Sequence, residues 1–161
     1  MKGEAKAALQ GELMPSCRIE HLREVTPELG EALVRMIPML SPDRRPPGLS
    51  DLGEILADSR VCLLAARALE EDARILGLVA LVLYRVPTGL RARIEDLVVT
   101  EEGRGAGVGR KLMEAALEAA RASQAHVVDL TCNPRRLAAN RLYQEMGFTR
   151  WETNVYRLVL D

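Results

Sequence analysis

Aromatic residues are scarce. The 161-residue chain has one Trp, three Tyr and one Phe, and Tyr143, Phe148, Trp151 and Tyr156 all fall in its last twenty residues. Most of the core must therefore be aliphatic, and no stacking platform for single-stranded nucleic acid is available. Cysteine is equally sparse. Cys17, Cys62 and Cys132 are an odd, widely spaced set without a Cys-x-x-Cys pair, which excludes a disulfide framework and points to a reducing compartment. His21 and His126 stand alone, so no metal-ligand cluster is expected. Charge of either sign is not in excess. The net charge is −1, so no global field recruits nucleic acid or an anionic membrane. The longest apolar run, Leu76 to Tyr84, is too short to span a bilayer. The opening "MKGEAKAALQGELM" carries Glu4 and no sustained apolar stretch, so it does not read as a signal peptide. A cytoplasmic protein with neither a nucleic-acid nor a membrane partner is the expectation.

What is present fits one soluble globular domain over 16–161 behind an N-terminal tail over 1–15, which reads as frayed or disordered. "CRIEHLR" (17–23) alternates like a strand. Thr26-Pro27 opens a helix, with Thr26 as N-cap and Leu29, Leu33, Met36 and Ile37 as its apolar stripe. After the proline-rich loop "SPDRRPPGL" (41–49), Ser50 is placed to cap a second helix carrying Leu52, Ile55 and Leu56. "VCLLAARAL" (61–69) and "RILGLVALVLYRV" (74–86) flank "EEDA" as an antiparallel hairpin, with Gly77 marking a bulge. "RARIEDLVVT" (91–100) is the next strand. A helix then runs to about Ser123, burying Leu112, Met113, Ala116, Leu117 and Ala120. "HVVDLTC" (126–132) is a strand. Asn133-Pro134 opens another helix that ends at Gly147, and "TRWETNVYRLVL" (149–160) closes with one strand or two. The order β-α-α-β-β-β-α-β-α-β is an α/β mixed sheet, and its strand–loop–helix–strand section is a crossover that makes those two strands parallel.

The feature that calls for explanation is "EEGRGAGVGRKLMEAALEAA" (101–120). Gly105, Gly107 and Gly109 lead straight into a helix N-terminus, where unpaired N–H groups and the helix dipole favour an anion and glycine lets a ligand come close. The P-loop spacing fails, because five residues beyond Gly105 stands Arg110 and five beyond Gly103 stands Val108. The Gly-x-Gly-x-x-Gly dinucleotide fingerprint fails at the same positions.

Arg104-x-x-Gly107-x-Gly109 resembles the Arg/Gln-x-x-Gly-x-Gly/Ala signature of the GNAT superfamily of N-acetyltransferases. "IEDLVV" (94–99) before it and "NPRRLAANRLYQEMGF" (133–148) after it are also similar to that family, in the right order. The resemblance covers about residues 17–160. It implies a GNAT-like fold, a twisted mixed sheet of about six or seven strands flanked by about four helices. It also implies an acyltransferase that carries acetyl from acetyl-coenzyme A, as co-substrate and without a metal, to a small-molecule or peptide amine in a ternary complex. The diphosphate would sit on the backbone of Gly105, Ala106, Gly107, Val108, Gly109 and Arg110, with Arg104 adding charge. Leu97, Val98 and Val99 would present main-chain groups to the pantetheine arm, as a sheet edge receives a peptide, with the Val98 N–H at the acetyl oxygen.

The same resemblance makes Glu95 the candidate base, directly or through water, and Tyr143 the acid near the coenzyme sulfur. Glu95 otherwise reads as an ion-paired surface carboxylate and Tyr143 as an aromatic packed on its helix. Strand alternation puts Asp96 on the face opposite Glu95. Asn133 either contacts the cofactor or caps its helix. Asn140 and Arg136 are further candidates on the adenosine and pantetheine side, and Cys132 reads as strand core. The acceptor side would be built from the 41–49 loop, the early helices and the closing strands. Relatives often pair, so a homodimer is an expectation too. A coenzyme A-binding sensor that has lost catalysis is the competing reading.

Overall fold

The computed structural model describes residues 16–69 and 73–160. The tail over 1–15 lies outside the described residues, as does most of the "EEDA" turn. The chain divides into two compact units, Met1–Leu130 and Thr131–Asp161.

The first unit is a five-stranded sheet in the order β1-β2-β3-β4-β5. Its strands are β1 (Cys17–His21), β2 (Val61–Ala68), β3 (Ile75–Val86), β4 (Gly89–Val99) and β5 (Val127–Leu130). The first four pair antiparallel. β4 and β5 pair parallel across α3 (Val108–Ala122), as the crossover requires. With α1 (Pro27–Leu40), α2 (Leu49–Ala57) and α4 (Leu137–Glu145) of the second unit, the architecture is the mixed α/β fold with four helices expected from the sequence, with a lower strand count.

Local chemistry fixes several of these boundaries. Thr26 Oγ1 accepts the Leu29 N–H at 3.2 Å and Pro27 begins α1, as N-cap preference dictates. α2 starts earlier than expected. Gly48 is its N-cap, Ser50 lies inside the first turn, and Asp51 reaches back to accept the Gly48 N–H at 3.2 Å.

Strand alternation sorts the core into two layers. Leu63, Ala65, Leu78 and Val98 pack on one face against Leu29, Ala32, Leu33 and Met36 of α1 and Leu52 of α2. The opposite face carries Leu81, Ala92 and Ile94 and is covered by α3, whose Val108, Leu112, Met113 and Ala116 are fully buried. Leu117, expected among that group, is only partly buried. Gly77 explains how closely α3 approaches: a Cβ there would stand 2.8 Å from the Val98 carbonyl oxygen and 3.0 Å from Leu112. The bulge expected at Gly77 falls beside it, since Arg67 pairs with Ile75 and Ala66 with Gly77, leaving Leu76 as the extra residue. Arg67 fastens the edge of the sheet, donating to Glu20 at 2.6 Å, to Glu28 at 2.5 Å and to the Ala73 carbonyl at 2.8 Å.

In the second unit α4 starts at Leu137 rather than beside Asn133. It ends as expected. Gly147 has φ 89°, its N–H donates to Gln144 O at 3.0 Å and that of Phe148 to Tyr143 O at 2.9 Å, a Schellman closure. The strands expected over 149–160 are not formed. A ladder needs a partner, and the segment finds none among the described residues of its unit.

Candidate active site

β4 supplies the first half of the site, and a bulge shapes it. Glu95 pairs with Ala80 and Val98 with Leu78, so Asp96 and Leu97 together stand opposite Val79. Asp96 takes the left-handed conformation, φ 53°, which Asp and Asn tolerate better than other side chains. This corrects the simple alternation expected from sequence. Ile94 faces α3 and Glu95 faces the α1/α2 layer, as a regular strand would have it. Yet Val98, three residues beyond Glu95, shares the Glu95 face.

The bulge also exchanges edges. The His126 N–H donates to Leu90 O at 3.1 Å, so before the bulge the even-numbered residues of β4 turn their main-chain groups toward β5. After it, the Thr100 N–H donates to Leu76 O at 2.9 Å, so the even-numbered residues now face β3. Val98 therefore directs its N–H at β3, and Leu97 and Val99 direct theirs to the other edge. β5 pairs with Arg91 to Ile94, which leaves that edge of Leu97 and Val99 without a strand partner among the described residues of this unit. The Val98 amide, expected at the acetyl oxygen, faces β3, and the amides of its two neighbours face the other edge.

The two carboxylates at the bulge differ in engagement. Glu95 Oε1 accepts a charge-assisted hydrogen bond from Arg93 Nε, along the strand. The side chain of Asp96 makes no hydrogen bond or ion pair among the described residues. Desolvation, and secondarily the charge on Glu95, hold its carboxyl above the ordinary aspartate value.

The glycine turn follows β4 directly. Gly103 is buried, and a Cβ there would meet Val99 at 2.8 Å and the Leu76 carbonyl oxygen at 3.2 Å, so its role is close packing. The Gly103, Arg104 and Ala106 N–H groups are spent inside the turn, on Thr100 O, Glu101 O and Gly103 O. Gly105 and Gly107 have φ 76° and 75°, and Gly107 is the N-cap of α3 without a capping side chain. Nothing lies within 4 Å of the place where a Gly107 Cβ would stand. The N–H groups of Gly105, Gly107, Val108 and Gly109 meet no acceptor among the described residues. Arg104 is exposed, and Arg110 belongs to the first helical turn. An open helix N-terminus with uncommitted amides is a cradle for an anion. The residues present fit a diphosphate.

The second unit holds the remaining candidates. Asn133 does not cap α4. Its Oδ1 accepts the Arg135 N–H at 2.9 Å, and its carbonyl accepts the Arg136 N–H at 3.0 Å, a side-chain-stabilised turn. Asn140 Nδ2 donates to Asn133 O at 3.0 Å and to Arg136 O at 2.9 Å, and lies 3.4 Å from Cys132 Sγ. Both asparagines are thus committed to building this turn. Cys132, expected in a strand, lies just beyond β5. Tyr143 stacks edge-on against Phe148 at 6.0 Å between ring centroids. Burial pushes its phenol above the ordinary value, and Cys132 adds to the rise while Arg136 offsets part of it. Its hydroxyl therefore stays protonated at neutral pH, as a proton donor must.

Sequence reasoning located the turn, the carboxylates and the Leu97 to Val99 stretch but not the bulge at Asp96 and Leu97, which is set by the register of β3 against β4. No group of three or more His, Cys, Asp or Glu among the described residues could hold a metal ion, and no described helix is long and apolar enough to cross a membrane.

Comparison with known proteins agrees with this geometry. No curated protein sequence matches the chain. Among solved structures, an aminoglycoside acetyltransferase from an uncultured soil metagenomic sample superposes with a TM-score of 0.76 at 19% identity, covering 89% of this chain and 95% of that one. A transcriptional regulator from Bacillus halodurans C-125 gives 0.74 at 24% identity, covering 89% and 100%. A Trypanosoma brucei acetyltransferase gives 0.71 at 22% identity, covering 90% and 100%. At these identities the likeness is one of fold. The profile of the acetyltransferase (GNAT) family, however, matches residues 29–148, across β4, the glycine turn and α4, and on that match the chain belongs to the GNAT family of acetyltransferases.

Proposed function

We propose that the chain transfers the acetyl group of acetyl-coenzyme A to the nitrogen of an amine. The observation that carries this reading is the uncapped N-terminus of α3, with the N–H groups of Gly105, Gly107, Val108 and Gly109 uncommitted, directly after a β4 edge without a strand partner among the described residues of its unit. The amides of Gly105, Gly107, Val108 and Gly109 would hold the coenzyme diphosphate, the expected Ala106 amide being spent on Gly103 O, and Arg104 would add charge. The main-chain groups of Leu97 and Val99 would take the pantetheine arm as a strand takes a peptide, leaving the Leu97 N–H for the thioester oxygen.

The chemistry has three demands. An alkylamine is only about 0.04% neutral at pH 7, so a base must take its proton. β4 offers Glu95 and Asp96 for this. Charge on the thioester oxygen needs a donor, and the departing thiolate needs an acid, the role of the Tyr143 hydroxyl. Asn133 and Asn140 act indirectly, by shaping the turn before α4.

The likeness to a transcriptional regulator favours a second reading, a coenzyme A-binding sensor without turnover. Isothermal titration with acetyl-coenzyme A, desulfo-coenzyme A and ATP, followed by thiol release against an amine panel that includes aminoglycosides, separates the two. Tight binding of both coenzyme A species, weak binding of ATP and thiol release with at least one amine are expected. Equal binding of ATP would overturn the donor assignment. Binding without thiol release from any amine would establish the sensor.

A further inference from the structure

The proposed acetyl transfer leaves open which carboxylate of β4 accepts the amine proton, and the bulge distinguishes the two. A base must be unengaged when the proton arrives and must stand near the thioester. Glu95 meets the first condition poorly, because Arg93 Nε donates to its carboxylate and that bond would have to break. The Asp96 carboxylate has neither hydrogen bond nor ion pair among the described residues. It immediately precedes Leu97, whose N–H faces the open edge.

Backbone conformation adds an independent argument. A non-glycine residue at φ 53° is held at a cost of ~1–3 kcal/mol, and such outliers concentrate at functional sites. Glycine would relieve that strain and keep the bulge, yet an acid occupies the position. Opposite the bulge, β3 contributes Leu78, Val79 and Ala80, none of them charged. The charge that acts on Asp96 is that of Glu95, the preceding residue of β4.

Resting on the acetyl-transfer reading, we propose that Asp96, not Glu95, is the general base, and that Glu95 is held by Arg93 as an ion pair on the same strand. The acceptor arrives as an ammonium ion, and one N–H proton passes to an Asp96 carboxylate oxygen, leaving a lone pair on nitrogen. That pair forms the N–C bond at the acetyl carbon while the carbonyl electrons move onto oxygen. Collapse restores C=O and breaks C–S, and the thiolate takes the Tyr143 proton. The second nitrogen proton leaves to water, the phenolate recovers one from water, and Asp96 releases its own. Ammonium and thioester thus become amide, thiol and one proton.

The test uses the purified full chain, acetyl-coenzyme A and the amine giving the fastest thiol release. Asp96→Asn keeps shape and tolerates the left-handed conformation, and Asp96→Gly removes the carboxylate while relaxing the backbone. Both should lower turnover ~100-fold or more with acetyl-coenzyme A affinity unchanged by titration. Glu95→Gln should lose less than about tenfold, well below the usual effect of removing a general base. With a hydrazide acceptor, already neutral at pH 7, the Asp96 deficit should shrink to below about tenfold, because no ammonium proton remains to be removed. Asp96→Asn within about threefold of the unsubstituted chain, against a base's expected effect, with a large loss in Glu95→Gln, would overturn the assignment. So would a deficit that does not shrink with the hydrazide. Absence of thiol release from every amine by the unsubstituted chain would instead overturn the acetyl-transfer reading, and this assignment with it.

Discussion

The turns before α3 and α4 are built in opposite ways. The turn before α4 satisfies itself: Asn133 and Asn140 side chains take up the Arg135 N–H and the Asn133 and Arg136 carbonyls. The turn before α3 has no such brace, and two glycines at positive φ hold its backbone open. Every helix start exposes N–H groups that need acceptors. Neither α3 nor α4 has a side-chain cap; the difference lies in the turn itself, braced by asparagine side chains before α4 and left open by glycines before α3. Under the proposed acetyl transfer, the open turn would grip the donor and the braced turn would be framework, with Tyr143 as the proposed acid.

The sharpest break of that division is Tyr143→Phe. Turnover should fall ~100-fold, the usual range for a lost general acid, with acetyl-coenzyme A affinity unchanged by titration. A large affinity loss would make the second unit part of the grip.

Gly107→Val comes next. A β-branched residue at φ 75° is strained by ~1–2 kcal/mol, and its side chain would enter the space that a Gly107 Cβ finds empty. Acetyl-coenzyme A should bind at least ~10-fold more weakly, since 1.4 kcal/mol corresponds to tenfold. Undiminished binding in titration would remove the cradle.

Asn140→Ala should act on stability instead, lowering it by ~1 kcal/mol through the lost hydrogen bonds, read as a lower denaturation midpoint with donor affinity retained. Loss of affinity without loss of stability would turn the self-satisfied turn into a ligand contact.

The smallest effect is spectroscopic. Because burial raises the Tyr143 phenol above its ordinary 10.0, deprotonation must begin at higher pH than for an exposed tyrosine. Ultraviolet titration of the unsubstituted chain should show a late phase that Tyr143→Phe removes. An unchanged profile would show that this phenol is not the high-titrating one.

Much of the fold was legible because its signals are local. Thr26-Pro27 is a cap and first-turn pair whose chemistry acts within three residues. Gly147 ends α4 because only a residue at ease with positive φ closes the helix that way. The glycine turn announced itself by composition and by failing two phosphate spacings. Less legible were features set by a second strand or a distant side chain. Asn133-Pro134 looks like a helix start, but the Asn140 amide gathers the carbonyls of 133 and 136, and α4 begins later. The strand pattern over 149–160 forms no ladder within its unit, since alternation states a preference and pairing needs a partner.

By itself the sequence determined the strand–glycine turn–helix order, the caps and the aliphatic core, since these follow from side-chain chemistry acting over a few residues. Only the tertiary structure decided which amides and which carboxylate of "IEDLVV" are available. The bulge at Asp96 and Leu97 is fixed by the register of β3 against β4. One extra residue in one strand exchanges every following face and edge, and register belongs to the pair of strands.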